Sequence, residues 1–207
     1  RSSDLPNDFS AEMIRQAKKQ VCSSRLHFSV QDATQLPYGP ESFDAVVISN
    51  ALHVMPHPEK ALVEAWRSAV HAVFERITRW NGEDKPHWVL HPATEAERTV
   101  AACMDVPAIR ELFMPAETAI VMKEQRIEAI DGNVWISGVI DRLVIDGNSA
   151  CIVDFKTDHA DTAEQLRERH EAQLQAYARI VSKITRIPCD RIRLMIISTH
   201  LKTVIQV

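Results

Sequence analysis

Glycine is scarce in this chain, with five residues among 207, and neither GxGxxG nor GxxxxGK followed by Ser or Thr occurs. The two loops that most often cradle a dinucleotide or a nucleoside triphosphate on backbone amides are therefore excluded. The four cysteines (Cys22, Cys103, Cys151, Cys189) are scattered and form no CxxC pair. That argues against a zinc ribbon or an iron–sulfur cluster and for free thiols in a reducing compartment. The net charge of −4 supplies no general pull towards nucleic acid. Local basic groups exist at Arg167/Arg169 and Arg186/Arg191/Arg193, a pattern that also suits a solvated face. No apolar run approaches the roughly 18 residues of a membrane span. The opening RSSDLPNDFS has neither the apolar core of a signal peptide nor an initiator Met. The expectation is a cytoplasmic chain, cut from something longer, with no membrane partner.

What is present falls into two unlike pieces. The first third alternates α and β. SAEMIRQAKKQ reads as a helix with Ser10 as N-cap and Met13, Ile14 and Ala17 on one side. RLHFSV and FDAVVISN read as short strands, the second apolar throughout as in a parallel sheet. A long helix follows over residues 57–80, with Pro58 in its first turn and Leu62, Ala65, Ala69, Val73 and Ile77 at helical period. HVMPHP sets His53 and His57 four apart, but Pro56 between them opposes a helical metal pair.

After Trp80 the texture changes. A polar connector with two prolines leads to TEAERTVAACM, a helix with a Thr94/Glu97 capping box, and to the short helical VPAIRELF. Three strands are expected in TAIVMKEQRIEAI, VWISGVIDRLVI and ACIVDFKT, separated by Asp131-Gly132 and Asp146-Gly147 hairpin signals. An amphipathic helix over DTAEQLRERHEAQLQAYARIVSKI and the strands RIRLMIIST and KTVIQV complete the chain. There are no repeats and no low-complexity tract.

Each of the three central strands places acidic or basic residues in an otherwise apolar pattern: Glu124, Asp141, and the pair Asp154/Lys156. A lone D-x-K on a strand is commonly a surface ion pair. Three neighbouring strands joined by hairpins, however, would gather three carboxylates, which repel unless a cation neutralises them. Mg²⁺ or Mn²⁺ suits such a set, and Mg²⁺ in particular works on phosphate substrates. Lys156 would then stand beside the ion and the scissile phosphate and offset charge in the transition state.

SGVIDRLVI, CIVDFKTDH and HEAQLQAY, in that order, resemble the successive motifs of RecB-like nucleases of the PD-(D/E)xK superfamily, in particular the nuclease domain of AddA-type helicase–nuclease subunits. The resemblance spans about residues 67–207. It implies a restriction-endonuclease-like α/β core, a mixed sheet flanked by helices. It further implies Asp141 and Asp154 as ligands of Mg²⁺ or Mn²⁺, the Phe155 carbonyl assisting, Lys156 as catalytic lysine, and Glu124 as a further acid. Gln173 and Tyr177 match the helix motif that supports the site and approaches DNA. The family's upstream histidine ligand maps to His71 within WRSAVHAVFERI, where Arg67 replaces the family's glycine. Arg142 is expected in a structural ion pair and Thr157 in a hydrogen bond at the strand end.

DFSAEMIRQA, QDATQLPYGPESFDAVVISNALH and PEKALVEA resemble the middle of a class I S-adenosylmethionine-dependent methyltransferase over about residues 4–66. That implies an N-terminal βαβα Rossmann-like fragment, Asp8 at the ribose hydroxyls and Asp32 beside the adenine. The family's first strand and glycine-rich loop are not in the chain, so no cofactor binding is expected from this half site. The domains are therefore expected at 1–66 and 67–207, as a fusion.

The functions implied are, first, a metal-dependent DNA nuclease, trimming DNA ends or single strands in recombinational repair beside a helicase domain or a partner nuclease subunit. The alternatives are a methyltransferase and a catalytically inactive nuclease-fold interaction module.

Overall fold

The structure is a computed structural model and describes residues 6–8, 10–21, 23, 26–32, 57–80, 86–131 and 134–207. The chain divides into two compact units, Arg1–Ser68 and Ala69–Val207. The strand expected at FDAVVISN, His53 and the first hairpin turn at residues 132 and 133 lie outside the described residues.

In the first unit, β1 (Asn7–Asp8) and β2 (Ser29–Val30) pair in parallel around α1 (Ala11–Gln20). Ser10 caps α1 as expected, its hydroxyl accepting from the Met13 amide. Ile14 is buried, but Met13 is 55% exposed, so the apolar face is narrower than the spacing predicts.

The helix α2 (Pro58–Glu75) runs through the division between the units. In the second unit its buried residues are Val70, His71, Val73 and Phe74, with Ile77 just past its end. The expected stripe is thus displaced, with Ala69 exposed. Then come α3 (His87–Leu90), α4 (Glu95–Met104) and α5 (Pro107–Glu111). The capping box of α4 is formed as the sequence predicts.

The second unit is mixed α/β, built on a five-stranded mixed sheet flanked by helices. Its strands are β3 (Ile120–Asp131), β4 (Val134–Asp146), β5 (Ser149–Lys156), β6 (Ile192–Ser198) and β7 (Thr203–Gln206), in that spatial order. Every neighbouring pair is antiparallel except β5–β6. A parallel pair needs a crossover, and α6 (Ala163–Thr185), capped by Thr162, supplies it. The β4–β5 turn is tight because Gly147 adopts φ +55°, which a hairpin of this length favours.

The two faces of this sheet bury different cores. On one, Ile127, Ile140, Leu143, Ile152 and Ile196 pack with Leu166, Leu174, Tyr177 and Ile180 of α6. On the other, Phe155 stacks on Phe74 at 4.3 Å, and Phe74 on Phe113 at 5.8 Å. The guanidinium of Arg142 closes this stack, 4.6 Å from the Phe113 ring centre.

Strict alternation along β4 would put residues 138, 140 and 142 on one face. Gly138 lies under Tyr177 of α6 and Ile140 packs with the same helix, yet Arg142 reaches the opposite layer and Leu143 packs towards α6. The displacement falls at Asp141. Opposite it on β3, Glu124 has φ +48°, and the ladder passes from Lys123↔Arg142 to Gln125↔Ile140 without bridging Glu124 to Asp141. A non-glycine residue in that region costs about 1–3 kcal/mol, and such residues cluster at functional sites.

The close approach at Gly138 is testable. A Cβ there would lie 2.1 Å from the Tyr177 hydroxyl and 2.7 Å from its ring. Gly138→Ala is expected to cost about 1–3 kcal/mol, read as a lower urea midpoint at unchanged slope. Gly147→Ala meets no atom within 4 Å and should cost only its backbone strain, about 1 kcal/mol.

Candidate metal centre

Three elements bring the site together. His71 comes from α2, Glu124 from β3 and Asp141 from β4, and one potential ligand atom of each lies within 4.8 Å of the others. His71 and Asp141 are 4% and 7% exposed. Two carboxylates so placed repel each other strongly unless a cation is shared between them.

The neighbours of these residues hold the elements in place. Lys123 donates to the Glu75 carbonyl at 2.6 Å and to the Thr78 hydroxyl at 2.9 Å. Arg142 donates to the carbonyls of Ile77, Thr78 and Leu112 at 3.2, 3.0 and 3.3 Å. Cations at the carbonyl end of a helix satisfy orphan acceptors and complement its dipole. So the residue after Asp141 and the residue before Glu124 both fasten the end of α2, the helix that carries His71. The expected ion pair of Arg142 is thereby corrected: its contacts are backbone carbonyls and an aromatic face. Its burial pulls the guanidinium down to about 10.

Phe155 completes the site from its backbone. Its amide donates to Asp141 Oδ2 at 2.6 Å, and its carbonyl accepts from His71 Nε2 at 2.9 Å. His71 Nδ1 stands 3.4 Å from Asp141 Oδ1. The His71 ring also meets the Phe155 ring edge-on, at 5.7 Å.

These residues fit a divalent cation. Adjacent ligands at about 2.1 Å from an octahedral ion stand about 3.0 Å apart. The His71 Nε2 and Phe155 carbonyl pair, hydrogen-bonded at 2.9 Å, has a similar spacing, and Nε2 would release its proton to serve as a ligand. Imidazole beside carboxylates and a carbonyl is a donor set that suits Mn²⁺ as well as Mg²⁺.

Asp154 and Lys156 sit next to this group. Lys156 Nζ is 2.8 Å from Asp154 Oδ2, so the two share a face as their spacing predicts. Asp154 is 4% exposed; burial, and then the charge of Asp141, push its carboxyl above the usual range, while Lys156 pulls it back. The tight triad contains His71, Glu124 and Asp141, with Asp154 beside it and bonded to the lysine. The sequence singled out all five residues and the Phe155 carbonyl. It missed the Phe155 amide, which makes that backbone a two-way bridge, and Lys123 as a clamp, because neither role has a side-chain signature.

Gln173 and Tyr177 lie one turn apart on α6, Gln173 Nε2 donating to the Tyr177 hydroxyl at 2.8 Å over Gly138. They buttress β4 and do not join the triad. The end of β5 is held by Thr199, whose amide and hydroxyl donate to the Lys156 carbonyl at 3.0 and 3.3 Å, the role expected of Thr157. In the first unit, Asp8 Oδ1 accepts from the Ser10 amide at 2.7 Å, and Asp32 is exposed after β2.

Past Lys156, Asp158 accepts from His170 at 3.2 Å and Arg169 at 3.4 Å. The His170 hydrogen bond, first, holds the Asp158 carboxyl down at about 2. A depressed acid contributes stability above its unfolded value and loses it as pH falls through the folded one. Asp158→Asn should therefore flatten the fall in urea midpoint between pH 3.8 and about 2 relative to the parent chain.

Comparison with known proteins divides along the same chain. Residues 5–70 match the family model described as a methyltransferase domain. Over 65 residues, 30% of this chain, it is 38% identical to the ubiquinone/menaquinone biosynthesis C-methyltransferase UbiE of Rickettsia bellii, covering 26% of that protein. Over 159 residues, 71% of this chain, it is 26% identical to an ATP-dependent helicase/nuclease subunit of Natranaerobius thermophilus, covering 12% of it. It is 34% identical over 55 residues, 27% of this chain, to the protein of the same name from Clostridium kluyveri, covering 4% of it. The chain thus spans a small part of each relative it matches, and what is similar to a methyltransferase is its first third.

Proposed function

We propose that residues 69–207 act as a divalent-metal-dependent nuclease, a restriction-endonuclease-like core that hydrolyses phosphodiesters in DNA. The observation that carries this is the convergence of His71, Glu124 and Asp141 from three separate elements, with the Phe155 carbonyl and Lys156 alongside. The likeness to one helicase/nuclease subunit, 26% identical over 71% of the chain, supports it.

His71, Glu124, Asp141 and the Phe155 carbonyl would hold Mg²⁺ or Mn²⁺, with Asp154 adjoining. When bound, the ion supplies Lewis acidity to a phosphate oxygen and neutralises the carboxylates. Lys156 lies against Asp154 and would stand where the phosphate gathers negative charge during attack by water. Asp154, nearly sealed from solvent, fixes the direction of that ammonium. Gln173 and Tyr177 keep β4, and with it Asp141, in place from the α6 side. DNA ends or single strands delivered by a helicase domain or partner protein fit this reading, and the free thiols Cys103, Cys151 and Cys189 fit a cytoplasmic setting.

A second reading rests on the family match at residues 5–70: S-adenosylmethionine-dependent methyl transfer. The parallel β1–α1–β2 start, with Asp8 closing β1, supports it. An inactive nuclease-fold scaffold is the third reading.

In Mn²⁺ or Mg²⁺ the full chain should degrade end-labelled single-stranded DNA. Lys156→Ala and Asp141→Asn should each lower the rate about 10²-fold or more. Unchanged rates in both variants would remove the nuclease reading. Micromolar heat of binding with S-adenosylhomocysteine would establish the second reading for the first unit. Mn²⁺ binding equal in the parent chain and Asp141→Asn would favour the inactive scaffold.

A further inference from the structure

One chemistry-bearing pair stands outside the triad and takes no part in the proposed chemistry. His159 and His200 are both exposed, with ring centres 3.7 Å apart and planes tilted by 42°. They come from different loops. His159 follows β5, and His200 follows β6. These are the two strands that run parallel, and their C-terminal ends, Lys156 and Ser198, lie opposite each other in register. In α/β sheets, ligands settle in the crevice outside the carboxyl ends of parallel strands. Here Lys156 is the last residue of one such strand.

The second loop is not loosely attached. Thr199, next to His200, is bound by amide and hydroxyl to the Lys156 carbonyl. The imidazole pair is thus pinned to the backbone of the proposed catalytic lysine, one residue away on one side and three on the other. The acid of the first loop, Asp158, is already engaged by His170 and Arg169 and feels the charge of Lys156. Asp161 stands at the far end of that loop, where α6 begins. His159 and His200 are exposed, and each imidazole can supply an N–H donor.

We propose that His159 and His200 form a phosphate-binding subsite for the nucleotide adjoining the scissile linkage. This rests on the nuclease reading of the same crevice. An internucleotide phosphate is an anion with acceptor oxygens, and two imidazoles held together from separate loops, one of which is tied to the Lys156 carbonyl, give it two donors. The pair therefore sets the register of the strand and does no chemistry. Its loss should appear in KM and leave kcat in place.

The experiment compares the full chain with His159→Ala/His200→Ala and with the milder His159→Gln/His200→Gln. Single-stranded oligonucleotides are used, with and without one uncharged methylphosphonate next to the cleaved linkage. Cleavage is followed in Mn²⁺ and binding by anisotropy in Ca²⁺. The alanine pair should raise KM and Kd about tenfold, the worth of one hydrogen bond to a charged group, with kcat within about twofold and Mn²⁺ affinity unchanged. The methylphosphonate should weaken the parent chain by a similar factor and cost the double variant nothing more. A double variant with parental KM and Kd overturns the subsite, as does a loss confined to kcat; parental cleavage would leave the nuclease reading standing. A parent chain that binds DNA through this pair without cutting it would remove the nuclease reading, and with it the assignment of the pair to a scissile linkage.

Discussion

The site depends on one mechanical constraint: the carbonyl end of α2 is gripped by the two side chains that neighbour its carboxylates in sequence. Lys123 and Arg142 are paired across β3 and β4, and both reach into the turn from Glu75 to Thr78. Glu124 and Asp141, one step along each strand, are at the position where the ladder is not bridged. The same local twist that sends the cations to the helix end sends the acids to His71. Burying Arg142 to 1% exposure would be costly without acceptors, and three carbonyls and the Phe113 face meet that need. Breaking this grip would loosen α2 from the sheet and move an imidazole away from two carboxylates at once.

Much of this could be read from the sequence, because the relevant signals are local. Thr94/Glu97, Asp146-Gly147 and the 3.6-residue period of α6 each carry their own geometry. Acids and a lysine interrupting apolar strands marked the site, since charge is not placed in a sheet core without purpose. What could not be read was the reset of alternation at Glu124 and Asp141. Alternation is a two-residue rule, and a left-handed glutamate breaks it without any glycine to announce it. Arg142 was misassigned for a related reason. Pairing with a carboxylate is the commoner fate of a buried arginine, and only the folded chain shows free carbonyls waiting at a helix end. The buried face of α2 is displaced from the expected stripe because Phe74 packs into the aromatic layer of Phe113 and Phe155.

The two kinds of similarity meet inside one helix. The methyltransferase-like match ends at residue 70, and His71 is the next residue. Pro58 begins the helix and Glu75 ends it. One continuous run of backbone hydrogen bonds therefore serves a segment similar to a methyltransferase domain and carries the histidine of the His71–Glu124–Asp141 cluster. Helix geometry is indifferent to where a sequence came from, provided the period is kept.

Phe155 has three obligations at once: its ring fills the aromatic layer, its amide steadies Asp141, and its carbonyl faces His71. Packing and the geometry of the His71–Asp141 cluster are consequently fused at a single position. Drift in the aromatic layer cannot proceed silently here, because any repacking that shifts this strand by a fraction of an ångström also detunes the centre.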